Sequence, residues 1–444
     1  MRIVIFSLLA LTLAVAPAAA QDPARMDTVV RAAADKGEFM GAVLVAKDGV
    51  ILLDRGYGSA NLEWKIPNDG DTKYRLGSVT KQFTAVSIMM LRERGKLDLD
   101  APIRAWFPDA PAAWDKITIR HLLTHSAGIP NLTDFEDFHK LKTLPTTVDG
   151  MIARFRDKPL EFQPGEKWKY SNSGYILLTA IVEKASGQSY AAFLTDNIFK
   201  PLGMADSGYD SHDAVIPHRA SGYAPGANGV VNAGYLDMTI PQGAGALYST
   251  THDLLKWQTG LYGGKLLKPE SLAMLTTPFK SDYAFGIFVS NKEDGRSFWH
   301  PGGIEGFNTW LGYDPERRIT VVVLGNLNSG APTRLGAGLM ALAQGGKVTL
   351  PGERVEVTLP PESLAAYVGQ YDVSPEFGFA VRVEGGKLIV QATRQDPLVL
   401  HAEKPDHFFL KEVDAQLIFR RDASGRIDAA ILRQNGRETV AVRK

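Results

Sequence analysis

The stretch Leu76-Gly-Ser-Val-Thr-Lys-Gln-Phe83 (LGSVTKQF) places a serine and a lysine three residues apart at the start of an apolar run. On a helix, this spacing brings the side chains of Ser78 and Lys81 to one face. A serine hydroxyl becomes a nucleophile when a base takes its proton, and a lysine can be that base only when deprotonated. The alternative is a helix that begins at Ser78 and carries a surface lysine.

The residues around this pair favour the first interpretation. Apolar positions such as Phe83 and Val86 predict a buried helix over Ser78–Arg94, which ends at Gly95. A lysine on its first turn is expected to face a cleft, where burial and the helix dipole both disfavour the charged form. Gly77 lets the backbone turn tightly, and amide N–H groups at a helix start can stabilise an oxyanion.

The composition describes a chain that can bury a large core. Of its 444 residues, 45% are hydrophobic, and this length predicts two domains, one large and one small. The formal net charge is zero, so no charge excess indicates nucleic-acid or anionic-membrane binding. The sequence contains no cysteine, which excludes disulfides, thiolate catalysis and cysteine-ligated zinc.

Residues 1–20 have the pattern of a secretory signal peptide. Arg2 supplies the positive charge, residues 3–15 form an apolar run, and residues 18–20 are alanines suited to cleavage before Gln21. A membrane anchor is the alternative, but the run is short for spanning a bilayer. We therefore expect an exported protein, periplasmic or secreted, with no integral membrane segment after cleavage.

Strand and helix signals predict an α+β fold. A helix is expected over Arg25–Gly37, then a β-hairpin whose type I′ turn is Asp48-Gly49. After a helical middle, apolar runs predict an antiparallel meander with turns at Asp294-Gly295 and residues 314–317. We expect the hairpin and the meander to join in one sheet. The four predicted meander strands are Tyr283–Ser290, Ser297–Pro301, Asn308–Tyr313 and Ile319–Leu324.

The remainder of the chain predicts a second, all-β domain. Glycines and prolines over residues 346–361 indicate a linker between a main domain (21–345) and a tail (362–444). The tail contains short strand-like runs separated by turn signals such as Gly385-Gly386 and Asn435-Gly436. This pattern predicts a small barrel or sandwich.

A second chemical motif is Tyr170-Ser-Asn172, which follows the turn signal Gln163-Pro-Gly-Glu166. A tyrosine phenol can relay a proton between a lysine, a serine and a leaving group. An asparagine amide can hold a substrate carbonyl through its N–H. The alternative is a loop tyrosine whose hydroxyl lies at the surface.

The third motif is His300-Pro-Gly-Gly303, at the end of a predicted strand. An imidazole there can stabilise charge or donate hydrogen bonds. Gly302 and Gly303 permit close approach of the backbone, and a free strand-edge N–H can complete an oxyanion hole. The alternative is a turn with an incidental histidine, since Pro-Gly is a common turn signal.

With these motifs in this order, the sequence resembles the serine β-lactamase and penicillin-binding protein family. It looks closest to the class C β-lactamase branch, with its D-alanyl-D-alanine carboxypeptidase, D-aminopeptidase, D-amino-acid amidase and esterase relatives. The resemblance implies an antiparallel sheet flanked by helices, with a helical subdomain, and the tail resembles the lipocalin-like barrel of some members. The flanking phrases that carry the resemblance are Ile117–Pro130, Phe162–Glu166, Pro201–Met204 and Gly243–Ser249.

The resemblance implies a role for each motif residue. Ser78 would form a covalent acyl-enzyme, Lys81 and Tyr170 would share the proton transfers, and Asn172 would bind the acyl amide. His300 would stand where many β-lactamases have a lysine. The oxyanion hole would use the backbone N–H groups of Ser78 and Gly303, with Gly302 beside them. No cofactor or metal is implied.

One position departs from the family pattern. The third motif often has Thr or Ser at its middle position, where the hydroxyl helps to hold a substrate carboxylate. Here this position is Pro301, which has neither a hydroxyl nor a backbone N–H. The neighbouring lysine is also replaced by His300, which can be neutral. We therefore expect weak β-lactam turnover and a preference for uncharged ester or amide substrates, unless an arginine reaches in from elsewhere.

Three alternatives remain open at this point. The first is a penicillin-binding D-alanyl-D-alanine carboxypeptidase or a β-lactamase. The second is a catalytically weak cell-wall-binding or sensor module on the same fold. The third is a metal hydrolase, since His121 and His125 have the spacing of zinc ligands on a helix, although the chain has no H-E-x-x-H. The expected partner is a small-molecule or peptide substrate from the cell wall or elsewhere, and the sequence does not give an oligomeric state.

Overall fold

A computed structural model describes residues 21–292, 295–413, 415–434 and 437–444. Two predictions lie outside these residues: the signal peptide over residues 1–20 and the turn at Asn435-Gly436. Asp294, predicted in a turn, is also outside them. No helix among the described residues is long and apolar enough to cross a membrane.

The α-helices occupy the main domain and the start of the tail. In chain order they are α1 (Pro23–Asp35), α2 (Thr80–Glu93), α3 (Ile119–Leu123), α4 (Phe138–Leu141), α5 (Val148–Phe155), α6 (Asn172–Ser186), α7 (Tyr190–Leu194), α8 (Lys200–Leu202), α9 (Thr251–Tyr262), α10 (Pro269–Leu275), α11 (Ala331–Ala343) and α12 (Pro361–Leu364).

The strands form a central sheet, smaller sheets of two or three strands and a terminal barrel. In chain order they are β1 (Gly41–Lys47), β2 (Val50–Tyr57), β3 (Ser59–Asn61), β4 (Ile66–Pro67), β5 (Tyr74–Arg75), β6 (Gly208–Tyr209), β7 (Tyr223–Gly226), β8 (Gly229–Asn232), β9 (Leu247–Ser249), β10 (Phe288–Lys292), β11 (Gly295–Ile304), β12 (Phe307–Asp314), β13 (Ile319–Gly325), β14 (Gly369–Ser374), β15 (Phe377–Glu384), β16 (Lys387–Ala392), β17 (Leu398–Lys404), β18 (His407–Phe409), β19 (Ala415–Arg421), β20 (Ile427–Gln434) and β21 (Arg437–Arg443).

The predicted joining of the first hairpin to the later meander is confirmed. The central sheet has the order β10-β11-β12-β13-β1-β2, and β1 pairs antiparallel with β13 from Gly41↔Gly325 to Lys47↔Ile319. Asp48 and Gly49 both have positive φ, as a type I′ turn requires. The two ends of the main domain thus lie side by side in one sheet.

Alternating side chains bury both faces of this sheet. Val43 and Val45 of β1 pack with α1 and α11 on one face, while Ala42 and Leu44 join the larger core on the other. That larger core contains α2 and α6, and the ring of Phe83 in α2 stacks on Trp257 at 3.9 Å between centroids. The helix that follows Ser78 is therefore held inside the domain, as its apolar sequence predicts.

One predicted strand begins in the wrong place. The sequence pattern indicated a strand from Tyr283, but β10 begins at Phe288. Gly286 has φ +73°, and a Cβ there would lie 2.6 Å from the carbonyl oxygen of Lys81. The chain therefore turns against the start of α2 before it enters the sheet. An apolar run of residues could not show this turn, because periodicity does not separate strand from buried turn.

The predicted terminal barrel is confirmed. Strands β14 to β21 close into an eight-stranded antiparallel barrel. Its core has its own set of buried side chains, in which the ring of Phe419 lies 4.9 Å from Tyr367 and 5.5 Å from Phe408. Two residues of the predicted linker (346–361) contact other parts of the chain. Glu353 pairs with Arg25 of α1, and the backbone N–H of Val357 donates to the carbonyl oxygen of Ala402 in the barrel. The linker thus contacts both parts of the chain.

Separate cores predict separate unfolding. Phe419→Ala removes an aromatic ring from the barrel core and is expected to cost about 3–5 kcal/mol, because the cavity is enclosed by other rings. Differential scanning calorimetry should show the barrel transition at lower temperature and the main transition unchanged. Val440→Ala, at a position 48% exposed on the barrel surface, is the matched control and should shift neither. A joint shift of both transitions by Phe419→Ala would contradict separate cores.

Candidate active site

Ser78 lies in a 3₁₀ turn, Gly77–Val79, that leads directly into α2. Gly77 has φ +53°, and a Cβ on it would lie 2.8 Å from the backbone nitrogen of Gly303. Only glycine lets this turn approach β11 so closely. The turn presents the half-buried Ser78 to a cleft of about 510 Å³.

Lys81 is fully buried below Ser78. Its Nζ lies 3.1 Å from Ser78 Oγ, 2.8 Å from Asn172 Oδ1 and 2.8 Å from the carbonyl oxygen of Ala244. Burial lowers the pKa of Lys81 well below its usual 10.5. A neutral amine has two N–H donors and one lone pair. With Asn172 and Ala244 accepting the two donors, the lone pair faces the Ser78 hydroxyl.

Tyr170 approaches Ser78 from the loop that precedes α6. Its Oη donates to Ser78 Oγ at 2.8 Å, and its ring lies 4.8 Å from Lys81 Nζ. Burial raises the pKa of Tyr170 further than the hydrogen bond with Ser78 lowers it. The phenol therefore keeps its proton at neutral pH and can donate it.

Asn172 is the first residue of α6 and is held by a neighbour that the sequence did not single out. Its backbone N–H donates to Asn131 Oδ1 at 2.9 Å, and its Nδ2 reaches the same oxygen at 3.3 Å and Thr133 Oγ1 at 3.4 Å. Asn131 and Thr133 follow the phrase Ile117–Pro130 directly. That adjacency was the only sequence signal for them.

His300 lies behind Tyr170, with ring centroids 6.3 Å apart, and it is buried. Its Nδ1 is 2.6 Å from the carbonyl oxygen of Pro301 and must carry the proton, so Nε2 accepts from the Tyr283 hydroxyl at 3.1 Å. Burial, with the nearby Lys81, lowers the pKa of His300 to about 3. The imidazole is thus neutral, and both nitrogens have protein partners.

Gly302 and Gly303 bring β11 against the Ser78 turn. A Cβ on Gly302 would lie 2.0 Å from the carbonyl oxygen of Leu76. The pairing of β10 with β11 ends at Phe288↔Trp299, so this part of β11 is free of β10. Gly303 is exposed and lines the cleft together with Ser78. The two glycines therefore form a strand edge beside the serine.

His121 and His125 do not form a pair on one helix. His121 caps the start of α3, where its Nδ1 accepts from the Thr118 N–H at 3.2 Å. His125 follows the end of α3 with φ +55° and accepts from the Ser171 N–H at 3.2 Å. Within the described ranges, His, Asp and Glu side chains form no cluster of three or more that could hold a metal. His121 thus caps α3, and His125 supports the loop before α6.

His125 is a site neighbour whose place the sequence did not predict. Its fully buried ring lies 4.3 Å from the ring of Tyr170 and 4.6 Å from that of Tyr283, between centroids. Burial, with the nearby Lys81 and His300, lowers its pKa well below 6.5. His125 thus supports Tyr170 as a neutral ring.

The cleft above Ser78 has mostly apolar walls. At its rim, Lys142 Nζ and Glu305 Oε1 form an ion pair of 2.6 Å. The apolar side chains in the walls are Leu132, Phe138, Ile176, Leu236, Ile240 and Ile304. Such walls suit a substrate group with an apolar surface.

The chain has similarity to known proteins in both of its parts. Residues 26–345 match the β-lactamase family, and residues 353–442 match a domain of unknown function (DUF3471). A penicillin-binding protein of Bacillus subtilis (strain 168) is 30% identical, with 94% of this chain and 98% of the relative covered.

Solved structures share the same fold. The octameric penicillin-binding protein homologue from Pyrococcus abyssi is 26% identical, with a TM-score of 0.68 over 95% of this chain and all of that chain. The D-amino acid amidase from Ochrobactrum anthropi SV3 is similar in fold, at 24% identity and a TM-score of 0.62 over 68% of this chain and 91% of that one. Since the family match and the Bacillus subtilis relative both cover most of the chain, the protein belongs to the β-lactamase family, which includes the penicillin-binding proteins.

Proposed function

We propose that this protein is an exported serine hydrolase that transfers the acyl group of an ester, an amide or a D-amino-acid peptide to Ser78 and then to water. One observation carries the proposal. Lys81 Nζ and Tyr170 Oη converge on Ser78 Oγ, at 3.1 Å and 2.8 Å, at the edge of an apolar cleft. Export is supported by the signal pattern over residues 1–20.

Lys81 is the base in acylation. Its neutral amine takes the Ser78 proton as Oγ bonds to the substrate carbonyl carbon. The carbonyl oxygen becomes an oxyanion, which the backbone N–H groups of Ser78 and Gly303 stabilise across the narrow gap between the turn and β11. Asn172 lies beside this gap, and its Nδ2 can exchange the long contact to Thr133 Oγ1, 3.4 Å, for a hydrogen bond to the acyl chain.

Tyr170 serves the leaving group. As the bond from the carbonyl carbon to the leaving atom breaks, that atom takes a proton through the protonated phenol, and Lys81 restores it. Water then attacks the acyl carbon, the bond from that carbon to Ser78 Oγ breaks, and Oγ takes back a proton from the protonated Lys81. The raised pKa of Tyr170 disfavours a phenolate base, so the neutral amine of Lys81 takes the proton from water as well.

On the leaving-group side, neither His300 nor Pro301 offers an anchor for a carboxylate. His300 is neutral with both nitrogens bonded, and Pro301 has no hydroxyl or N–H. These features favour an uncharged leaving group over a β-lactam or a D-alanyl-D-alanine terminus. The penicillin-binding relative supports the alternative, a penicillin-binding carboxypeptidase, and the first experiment separates the two.

The mature protein is mixed with a penicillin and, separately, with a p-nitrophenyl ester, and intact mass and product release are followed together. We expect ester turnover without a lasting penicillin adduct, and loss of the ester turnover in Ser78→Ala. A stable penicillin adduct that Ser78→Ala removes would instead indicate a penicillin-binding peptidase. Rapid penicillin hydrolysis would contradict the inference that Pro301 disfavours substrates with a carboxylate on the leaving-group side. If neither reagent reacts at Ser78, the alternative of a binding module is favoured over the hydrolase.

The pH profile tests the base. Below its pKa Lys81 is protonated and cannot accept the Ser78 proton, so kcat/KM should rise with pH and reach a plateau. The midpoint should lie well below 10.5, since burial lowers this pKa. Lys81→Arg introduces a guanidinium that cannot deprotonate, and it should lose about 10²–10⁴-fold in kcat/KM. Retained activity in Lys81→Arg would exclude lysine as the base.

Gly302→Ala tests the strand edge. The new Cβ would clash with the Leu76 carbonyl and with Thr309 Oγ1, 2.1 Å away, so β11 must move from the Ser78 turn. Displacing one oxyanion donor should lower kcat/KM by about 10²–10³-fold with the fold retained by circular dichroism. Gly338→Ala in α11, where a Cβ meets Val348 at an ordinary 3.6 Å, is the control. Equal activity of the two variants would argue against the oxyanion hole.

A further inference from the structure

A second cavity of about 370 Å³ adjoins the cleft of Ser78. Leu236 and Glu305 line both cavities, so the two meet at these side chains. The second cavity differs in chemistry, because its other walls are largely polar. They include Arg75, Arg219, Ser221, Asn232 and Tyr235.

The charges that line this second cavity leave an excess cation. Arg75 Nε and Arg219 Nη1 each donate to one oxygen of Asp210, both at 2.5 Å, and Asp210 is fully buried. One carboxylate thus faces two guanidinium groups. Glu305 is already neutralised by Lys142, which lies 2.6 Å away. The two guanidinium groups are therefore suited to one further negative charge, whereas Asp237, which accepts from the Tyr235 hydroxyl at 3.2 Å, disfavours an anion at the Tyr235 side.

Both arginines have donors left for a ligand. A guanidinium carries five N–H donors. Among the described residues, Arg75 uses Nε only, and Arg219 uses Nη1, which also donates to the Ser211 carbonyl at 3.1 Å. Their side chains are 12% and 25% exposed, so they are positioned in a partly buried site where a charged hydrogen bond is stronger than in water.

The direction of β11 shows which part of a substrate would reach this cavity, and this step rests on the proposed function. Gly303, the proposed oxyanion donor, lies between Pro301 and Glu305 along the chain. The leaving group is assigned to the side of Pro301. The acyl chain therefore extends past Ile304 and Glu305, over the apolar walls of the cleft and toward Arg75 and Arg219.

We propose that this cavity is a subsite for a carboxylate carried by the acyl part of the substrate. The acyl chain has an apolar stem that fills the cleft, and its acidic end binds Arg75 and Arg219. The substrate class is thus an ester or amide of a dicarboxylic acid, or a peptide with an acidic residue on the acyl side. The leaving group stays uncharged, as Pro301 requires.

The test compares p-nitrophenyl half-esters of straight-chain dicarboxylic acids with esters of monocarboxylic acids of equal length. The readout is the ratio of kcat/KM for the acid-ended over the methyl-ended ester, measured along a series of chain lengths. We expect the ratio to peak at one length and to fall there by roughly tenfold or more in Arg219→Gln, since a hydrogen bond to a charged group is lost. High salt should also lower it.

Two further variants make the readout specific. Glu305→Gln removes the negative charge at the boundary and should raise the ratio at the optimal length. Arg317→Gln is the matched control, because Arg317 also pairs with a fully buried aspartate, Asp314, at 3.1 Å, but lies in the turn between β12 and β13. It should leave the ratio unchanged.

The outcomes separate the subsite from the proposed function. Ester turnover through Ser78 with a flat ratio, insensitive to Arg219→Gln and Glu305→Gln, would overturn the subsite and leave the hydrolase intact. If no ester reacts at Ser78, the hydrolase proposal fails, and calorimetry on Ser78→Ala decides the subsite. The free dicarboxylic acid should then bind, and more weakly when Arg219→Gln is added; no binding would refute the subsite.

Discussion

The burial of a lysine amine is the constraint on which the site depends. A charged ammonium inside the domain would cost several kcal/mol, and Lys81 is fully buried at the start of α2. The amine avoids this cost because it is neutral, and the groups bonded to it are uncharged and supply no counter-ion. Its two N–H groups have fixed acceptors on Asn172 and Ala244, so the remaining lone pair can only face Ser78. In the proposed mechanism, the same burial that opposes the charge therefore provides the base.

The surroundings of Lys81 are consistent with this neutral state. The adjacent His125 and His300 both have a lowered pKa. A cationic His300 or His125 would lie in the same low-dielectric region as a protonated Lys81, and the repulsion favours loss of protons from all three groups. His300 therefore contributes a neutral ring where a second cation would be repelled. The positive charge of the lysine that many β-lactamases have at this position is therefore not expected on His300.

Local patterns sufficed for much of the fold and for the motif residues, and non-local contacts explain the rest. The hairpin turn, the helix after Ser78 and the terminal barrel follow from turn residues and apolar periodicity. The start of β10 and the protonation of His300 could not be predicted in this way. Each depends on a partner distant in sequence: the Lys81 carbonyl beside Gly286, and the Tyr283 hydroxyl beside His300. His125 was noticed only for its spacing, and its contact with Tyr170 appears once the chain is folded.

In the proposed hydrolase, β11 and the turn after it place the substrate requirements along one line. At Pro301 the strand offers a substrate neither charge nor donor, at Gly303 it offers a backbone edge beside Ser78, and past Glu305 the wall becomes cationic. A carboxylate at the leaving end would be desolvated without a partner, which is costly, whereas one at the far acyl end meets two guanidinium groups. The same negative charge is therefore unfavourable at one end of the substrate and favourable at the other. Under the proposed function, specificity then depends on the position of the charge relative to the scissile bond, because β11 and the turn that follows it fix both distances.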